Sequence, residues 1–555
     1  MKSCNWKNGL RLFMVFVFVF IFCFQSAFAE GEEESGGSEP IVTEPEAGAT
    51  EGPVEETPEE TSAVVVPSDA DKALVTVSNV EEACKVTAFR IVKPVYNVYG
   101  IERYELVSGA EIADLLAPTH AEVTLLAKKS RAGSFTEKVD FTNVSGTTTF
   151  TAELAAGSWI VLITDPTDAE YVYNPMFVSA YYTNANDASS LVGGTVNAAE
   201  DFTIGASAYY AKRSKIDLEK EIVSEGRKNP KFDDYKVGDT ASFTVETLTP
   251  VYDVAYTDIW YYLVDDQCKG LDPATNFRIE YSEDNGTTWI EVESSDYTLE
   301  KDVEATSIKY VFSTGFTNQG TGNDWAINFK PAFLVAHPAA NLRISYDSVV
   351  NDNSLLATKE NVNEVELAFT NDIYGHESHR KDTVRYYTFT VDQAVKIDET
   401  GELLSGAVFA LIEKGNAEQS LEDASKYLMT YTTKADGRIV FDGLDAKTYQ
   451  MKEVKAPDNH FLNGTVYDVT IAPEYDETTL EIVSYTVTIT DGTGAAVSKV
   501  AATGEVEESL TKIIDPTLSK LPSTGGIGTT LFTIFGTLIM LAGATFILYK
   551  ARKTA

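Results

Sequence analysis

Hydrophobic and polar residues alternate in short runs between about residues 73 and 516. Residues rich in turn formers, Gly, Asn, Asp and Pro, separate these runs. Period-two alternation predicts half-buried β-strands, and many short strands separated by turns are typical of β-sandwich domains. Only residues 421–428 suggest a helical turn or two. The clearest predicted strands are residues 74–77, 148–154, 159–163, 241–245, 308–312, 386–391 and 467–471.

The N-terminal segment has a different composition from the predicted strands. Lys2, Lys7 and Arg11 precede the apolar residues 12–24, and Ala27-Phe28-Ala29 follows as a small-x-small cleavage sequence. Basic residues, an apolar core and a cleavage sequence predict a secretory signal peptide over residues 1–29. The apolar core is too short for a membrane-spanning helix, so we expect a secreted protein.

An acidic segment follows, and it sets the charge of the whole chain. Residues 30–72 hold fourteen Asp or Glu, no Arg, and several prolines, which predicts a disordered spacer. Over the full chain, 44 Lys and Arg face 84 Asp and Glu, giving a net charge of −40. So negative a surface argues against nucleic acid as a partner.

The C-terminal segment carries the most specific motif, Leu521-Pro522-Ser523-Thr524-Gly525. Residues 526–549 are uncharged and long enough to cross a bilayer, and Lys550, Arg552 and Lys553 follow them. This order resembles the sorting signal of Gram-positive surface proteins. The resemblance implies that a sortase transpeptidase cleaves after Thr524 and passes its acyl group to an amine, with peptidoglycan as the final anchor.

The region before this signal contains a characteristic succession of strands and motifs. Residues 384–398 alternate, residues 404–411 and 439–444 read as strands, and 449–457 contain Lys-Glu-Val-Lys-Ala-Pro. The succession resembles the collagen-adhesin B-type domain, an Ig-like sandwich of pilins and adhesins. The resemblance implies an intramolecular isopeptide bond between Lys396 and Asp515, with Glu453 as the catalytic acid. Members of this family often carry Asn at the place of Asp515.

A weak internal repeat links this region to an earlier one. Residues 154–159 align with 444–449, so two domains are expected to share a fold. At the same offset Ile163 takes the place of Glu453. Because Ile163 cannot act as an acid, no bond is predicted in the earlier domain.

The middle region resembles a collagen-adhesin A-type domain of sortase-assembled backbone pilins. The resemblance rests on residues 216–223, 235–245, 261–271 and 365–372. It implies a bond between Lys220 and Asn371, with Asp265 handling the proton. Asp266 is a rival to Asp265, and Asn363 is a rival to Asn371. Alternation with Leu218 and Ile222 directs Lys220 into the core independently of the resemblance.

One further lysine lies between the first two predicted domains. Tyr209-Tyr-Ala-Lys212 resembles the Tyr-Pro-Lys element whose lysine links neighbouring pilin subunits, with Ala211 at the usual proline. The resemblance implies that Lys212 accepts the Thr524 acyl group of the next copy. Lys215 is the alternative.

These observations predict an all-β chain of tandem Ig-like sandwiches. We expect the shaft subunit of a covalent Gram-positive pilus, located on the cell wall, with sortase, further copies of itself, minor pilins and peptidoglycan as partners. Contact with host matrix or mucosal surfaces is a further expectation. The alternative is a monomeric wall-anchored adhesin or a minor pilin. No metal site is expected, since His376 and His379 lack the i, i+4 spacing that puts two ligands on one helical face. No cofactor is expected, and no enzymatic activity beyond autocatalytic formation of the isopeptide bonds. The expected division is 1–29 signal peptide, 30–72 spacer, 73–212 first domain, 213–380 A-type domain, 381–516 B-type domain and 517–555 sorting signal, transmembrane helix and basic tail.

Overall fold

The structure is a computed structural model. It describes residues 66–518 and 527–553, apart from residues 99, 116, 165–169, 185–201, 227, 304–322, 477, 480 and 508. The predicted signal peptide, most of the acidic spacer, the 521–525 motif and the strand predicted at 308–312 lie outside the described residues. The described residues form mostly strands, which confirms the all-β class, with a few helices between and after them.

The first domain is a sandwich of two main sheets. Its elements are Lys72–Ser78 (β1), Lys85–Asn97 (β2), Gly100–Leu106 (β3), His120–Arg131 (α1), Lys138–Asp140 (β4), Thr142–Asn143 (β5), Thr149–Ala155 (β6), Gly157–Thr164 (β7), Tyr171–Tyr173 (β8), Met176–Asn184 (β9), Phe202–Ala206 (β10), Ala208–Tyr210 (β11) and Arg213–Lys215 (β12). One sheet has the strand order β11-β1-β6-β5, and the other has the order β10-β9-β7-β2-β3 with β4 beside β2. Val75, Val161 and Trp159 fill the space between the two sheets.

Helix α1 is absent from the sequence-based prediction. Thr119 caps it, because its hydroxyl accepts from the Glu122 backbone N–H while the Glu122 carboxylate accepts from the Thr119 N–H. This reciprocal capping box is a local signal that could have located the helix. Leu126 and Ala127 are buried on its inner face.

The second domain pairs a five-stranded sheet with a six-stranded sheet. Its elements are Leu218–Ile222 (β13), Phe232–Asp234 (β14), Thr240–Leu248 (β15), Tyr261–Asp266 (β16), Thr275–Ser282 (β17), Ile290–Glu291 (β18), Tyr297–Val303 (β19), Asp324–Phe329 (β20), Pro331–Ala336 (α2), Asn341–Val349 (β21), Asn361–Thr370 (β22) and Glu377–Tyr387 (β23). The five-stranded sheet has the order β13-β15-β21-β17-β18, and the six-stranded sheet has the order β14-β23-β22-β16-β20-β19. Phe243, Leu263 and Trp325 lie in the core between the two sheets.

The third domain pairs a three-stranded sheet with a seven-stranded sheet. Its elements are Phe389–Asp398 (β24), Val408–Glu413 (β25), Met429–Thr432 (β26), Arg438–Leu444 (β27), Thr448–Lys455 (β28), Val466–Tyr475 (β29), Ile482–Thr490 (β30), Ala495–Ala501 (β31), Val506–Glu507 (β32), Thr511–Asp515 (β33) and, beyond the sandwich, Ile527–Lys553 (α3). The three-stranded sheet has the order β27-β24-β33, and the seven-stranded sheet has the order β26-β25-β28-β29-β30-β31-β32. The predicted helical turns at 421–428 form only a short 3₁₀ helix, Ala424–Lys426.

The change from the second to the third domain falls at Thr388. The chain leaves β23 and enters β24 after this single residue, so the apolar alternation continues across the junction. The expected start at residue 381 therefore lies inside a strand of the second domain. At the other junction β12 still pairs with β8 of the first domain.

Polar contacts join successive domains. Thr124 of α1 donates to Asp253 at 2.7 Å, and Tyr256 donates its hydroxyl to the Tyr173 carbonyl at 2.6 Å. Between the second and third domains, Lys236 and Glu413 form an ion pair of 3.1 Å.

Candidate functional site

Lys220 is buried in the core of the second domain. It lies on β13 between Leu218 and Ile222, and its side chain is 0% exposed. The ammonium nitrogen lies 5.8 Å from the Phe243 ring centre and 5.7 Å from that of Tyr346. A charged ammonium in such apolar surroundings is unfavourable, so burial lowers the pKa of Lys220.

Asp265 is the acid beside this lysine. It lies on β16, is 0% exposed, and accepts a hydrogen bond from Lys220 Nζ. Burial raises the pKa of the Asp265 carboxyl to about 6, despite the neighbouring cation. The opposite shifts of the two groups favour a neutral amine beside a protonated acid. Asp266, the rival acid, follows on the same strand, so its side chain points to the opposite face of the sheet.

The amide next to Lys220 is Asn363, and not Asn371. Lys220 Nζ donates to Asn363 Oδ1 at 2.7 Å. Asn363 lies on β22, two residues before Val365, which is opposite Asp265 in the antiparallel register. Both asparagines have the same parity along the chain, so alternation cannot separate them, whereas the register of β22 against β16 does.

Asn371 has a different place in the structure. It follows the end of β22, donates its side-chain amide to the Ser378 hydroxyl at 2.8 Å, and accepts at its backbone carbonyl from Tyr256. The predicted pairing of Lys220 with Asn371 is therefore corrected: the fold brings Lys220 to Asn363. Asn371 belongs to the junction with the first domain.

The third domain contains a second buried lysine cluster. Lys396 on β24 and Asp515 on β33 lie on two parallel neighbouring strands, the first and last of the domain. Lys396 Nζ donates to Asp515 Oδ1, and also to Glu453 Oε2 at 3.1 Å. The side chains of Lys396 and Asp515 are 0% exposed, and that of Glu453 is 1% exposed. The fold thus brings together the three residues that the sequence singled out.

Two carboxyl groups share one ammonium in this cluster. Burial raises the pKa of Glu453 to about 7. Glu453 Oε1 and Asp515 Oδ2 are both buried and have no hydrogen-bond partner among the described residues. Since one cation cannot neutralise two buried carboxylates, this arrangement favours a proton on Glu453, whose pKa burial raises.

The first domain lacks this arrangement. Ile163 is 4% exposed and packs in the apolar core. The two segments aligned in the internal repeat, 154–159 and 444–449, share one hydrogen bond. Trp159 donates to the Ala155 carbonyl and Tyr449 to the Asp445 carbonyl, in each case four residues earlier. The buried cation of this domain is Arg90, which sequence reasoning missed although an arginine between Phe89 and Ile91 breaks an apolar strand.

Lys212 is exposed between β11 and β12. Its backbone is held in place, because the Asn174 N–H donates to the Lys212 carbonyl at 3.1 Å and Ala211 pairs with the end of β1. Lys215, the alternative, pairs with Asp217 at 2.7 Å, and this hydrogen bond raises the pKa of Lys215. The fold therefore holds Lys212 exposed and Lys220 buried, eight residues apart in sequence.

Helix α3 is apolar over most of its length and ends with Lys550, Arg552 and Lys553. Within the part of the chain that the structure describes, it is the one helix long and apolar enough to cross a membrane. The sorting motif 521–525 precedes it but lies outside the described residues.

Comparison with known proteins matches three segments of the chain. Residues 70–212 match the T6 antigen Ig-like domain, residues 393–486 the prealbumin-like fold domain, and residues 515–555 the LPXTG cell wall anchor motif. The trypsin-resistant surface T6 protein of Streptococcus pyogenes serotype M6 is 23% identical over 556 aligned residues, which cover 88% of this chain and 96% of that protein. The chain is thus similar to the T6 surface protein along most of its length and carries an LPXTG cell wall anchor motif at residues 515–555. It is a surface protein anchored to the cell wall.

Solved structures agree with the fold. The T6 backbone pilin of S. pyogenes, described as a modular three-domain structure, superposes with a TM-score of 0.56 at 18% identity, covering 82% of this chain and all of that one. A weaker likeness, with a TM-score of 0.47 at 16% identity, relates 82% of this chain to the whole full-length major pilin SpaD of Corynebacterium diphtheriae.

Proposed function

We propose that this chain is the shaft subunit of a covalently polymerised pilus and that two intramolecular isopeptide bonds stabilise it. The observation that carries the proposal is the burial, in two successive domains, of a lysine beside an acid and a side-chain carbonyl. An unpaired or half-paired buried charge costs several kcal/mol. Conversion of each cluster to an uncharged amide removes that cost.

In the second domain, the neutral Lys220 amine attacks Cγ of Asn363. The carbonyl carbon becomes tetrahedral, the lysine nitrogen loses a proton, and the former amide nitrogen leaves as ammonia. Asp265 holds the proton that is transferred. The fold supplies the proximity, so no cofactor is required.

In the third domain, Lys396 attacks Cγ of Asp515, and one oxygen of that carboxyl leaves as water. Glu453 is the proton-handling acid, because burial raises its pKa to about 7 and its Oε2 lies 3.1 Å from the lysine nitrogen. The difference in acceptor predicts two different mass changes, the loss of one ammonia and of one water.

Polymerisation uses residues outside these clusters. A sortase cysteine attacks the Thr524 carbonyl, Gly525 leaves with its new amino group, and the acyl group passes to Lys212 of a neighbouring copy. The accessibility of Lys212 supports this role. Lys215 is less suited, since its hydrogen bond to Asp217 favours the protonated, non-nucleophilic ammonium. Sortase, further copies, minor pilins and peptidoglycan are the partners that this function requires.

The test compares Lys212→Ala with the matched variant Lys215→Ala in cells that express the cognate sortases. We expect boiled cell-wall extracts of the wild type and of Lys215→Ala to show a ladder of covalent multimers. Lys212→Ala should give only the single wall-linked band. A wild-type chain that itself gives one band would support the monomeric adhesin, whereas loss of the ladder in Lys215→Ala alone would move the linkage to Lys215.

A further inference from the structure

The lysine cluster of the second domain includes one further group, the phenol of Tyr346. Tyr346 lies on β21, is 1% exposed, and contacts both the acid and the acceptor of the second domain. Its hydroxyl lies 3.1 Å from each carboxyl oxygen of Asp265. Asn363 Nδ2 donates to the same hydroxyl oxygen at 2.8 Å.

We infer that Tyr346 is a catalytic residue of the Lys220–Asn363 bond and relays a proton from Asp265 to the leaving nitrogen of Asn363. The inference rests on the proposed isopeptide bond. It follows from the chain of contacts, since the hydroxyl oxygen lies between the acid that gains a proton and the nitrogen that requires one. Within the described residues, the hydrogen bonds of Asp265 are to Lys220 and Tyr346, so Tyr346 connects it to Asn363 Nδ2.

The proton transfer is balanced as follows. When the neutral Lys220 Nζ attacks, it becomes positively charged. The nitrogen of Asn363 loses its amide conjugation in the tetrahedral intermediate and becomes basic. The protonated Asp265 then donates its proton to the Tyr346 oxygen while the phenolic proton moves to Nδ2, the resulting Asp265 carboxylate takes one proton from the lysine nitrogen, and ammonia departs. Asp265 and Tyr346 end as they began, and the net products are one amide and one ammonia.

The surroundings of Tyr346 suit this role. Its ring stacks on Phe243 at 5.2 Å and meets Trp325 edge-on at 5.2 Å, so the hydroxyl is held in a fixed position. Burial raises the pKa of Tyr346 far above its usual value, so the phenol keeps its proton at neutral pH. A neutral hydroxyl can accept and donate a proton together without forming a buried charge.

The third domain shows why this group serves an amide acceptor. There, no hydroxyl among the described residues bonds to Glu453 or Asp515, and the lysine contacts both carboxyls directly. A carboxyl acceptor carries its leaving oxygen as a hydroxyl, which needs one proton to leave as water. An amide nitrogen is a far poorer leaving group and must be protonated before the bond to carbon breaks.

The test measures bond formation in the full chain, expressed in a host without sortase. Newly made chain is isotopically labelled in a short pulse and quenched in denaturant at intervals. Peptide mass spectrometry then follows the ammonia loss at Lys220–Asn363 and the water loss at Lys396–Asp515. We expect Tyr346→Phe, which keeps the aromatic ring, to slow the first reaction about 100-fold and leave the second unchanged.

Two further variants separate a relay from a packing role. Tyr261→Phe removes another buried hydroxyl of the same domain, which bonds Thr247 at 2.7 Å and lies outside the cluster; it should leave both rates unchanged. Asn363→Asp replaces the amide by a carboxyl acceptor. In that background Tyr346→Phe should cause little slowing, and the bond should form with loss of water.

The outcomes are distinct. If the wild type forms the Lys220–Asn363 bond and Tyr346→Phe forms it equally fast, the relay is wrong while the proposed crosslink stands. If Tyr346→Phe slows amide and carboxyl acceptors equally, Tyr346 acts through packing and the relay is again wrong. If the wild type shows no ammonia loss, the crosslink itself is wrong and the relay falls with it.

Discussion

Within the residues that the structure describes, each of the three domains buries one cation, but the acids beside these cations differ. Arg90 in the first domain is 2% exposed, and its partners Asp69 and Glu137 are 61% and 50% exposed. Lys220 and Lys396 are equally buried, yet the acids beside them, Asp265 and Glu453, are at most 1% exposed. The position of the acid relative to solvent thus separates the first domain from the other two.

This difference decides the chemistry. A guanidinium does not lose its proton, so the Arg90 group remains a set of ion pairs. Burial instead raises the pKa of Asp265 and of Glu453, and it lowers the pKa of Lys220, which favours transfer of a proton from an amine to the acid beside it. Burial of a cation by itself therefore does not predict a crosslink; burial of the acid beside an amine does.

The difference also agrees with the proposed direction of tension. If Lys212 and Thr524 carry the bonds between subunits, the tensile path runs through residues 212–524 and passes both buried lysine clusters. The first domain, which ends at about Lys212, lies outside that path. A domain under no tension requires no covalent link between its first and last strands.

The largest expected effect comes from removing the acceptor in the second domain. Lys220 and Asn363 are 143 residues apart, and closure of a loop of this length stabilises a chain by about 5 kcal/mol in the entropic treatment of crosslinks. Asn363→Ala should lose this stabilisation and the ammonia loss together. Asn371→Ala should keep the crosslink and lose about 1 kcal/mol, from the hydrogen bond to Ser378.

Thermal and urea unfolding of the two variants, with peptide mass spectrometry of each, distinguishes them. If Asn371→Ala abolished the ammonia loss while Asn363→Ala preserved it, the register seen between β22 and β16 would be misleading. The acceptor would then be the one that the family resemblance implied.

A smaller effect should appear as a pH dependence of the third domain without its crosslink. In Asp515→Ala, Lys396 has no acceptor and Glu453 keeps its buried environment. The pKa of Glu453 is raised from 4.5 to about 7 in the folded chain. Its contribution to stability is complete below pH 4.5, because both folded and unfolded forms are protonated there, and it is lost as the pH rises from 4.5 through the folded pKa. Because the charge of Asp515 is one cause of the raised pKa, its removal makes the shift smaller, and the effect should be at most about 3 kcal/mol.

Urea unfolding of Asp515→Ala between pH 4.5 and 8 should therefore give midpoints that fall with rising pH. The double variant Asp515→Ala/Glu453→Gln is the matched control for all other titrating groups, because Gln stays neutral like the protonated acid. The difference in midpoint between the two variants should be smallest near pH 4.5 and should grow as the pH rises. A constant difference across the range would mean that Glu453 does not hold a proton in the fold.

The smallest effect tests the comparison itself. Arg90→Lys places an amine in the first domain, where one ammonium cannot contact Asp69, Glu137 and the Ala156 carbonyl with the geometry of a guanidinium. We expect a loss of about 1–2 kcal/mol and no loss of water, since the two carboxylates are about half exposed. Lys85→Arg, in an exposed pair with Asp140, should change stability by less than about 0.5 kcal/mol. A crosslink at position 90 would refute the argument that the bond forms only where the acid beside the amine is buried.

Several properties of this protein follow from local sequence. The predicted signal peptide, the Leu521–Gly525 motif, the apolar helix and the basic tail are linear signals. The strands and the inward direction of Lys220 follow from period-two alternation, which a strand imposes whatever it pairs with. The third-domain cluster of Lys396, Glu453 and Asp515 was identifiable from motif resemblance, because its members lie in recognisable sequence contexts.

Other properties depend on pairings between residues far apart in sequence. Asn363 lies on β22 and Asn371 directly follows its end, an even number of residues later, so alternation would place both on the same face. Only the antiparallel register of β22 with β16 selects Asn363. Tyr346 joins the cluster because β21 packs opposite β16. The exposure of the acids beside Arg90 likewise follows from tertiary packing and not from the local sequence. Alternation determines which side a residue faces, whereas strand register and sheet packing determine what it meets, and the chemistry depends on the latter.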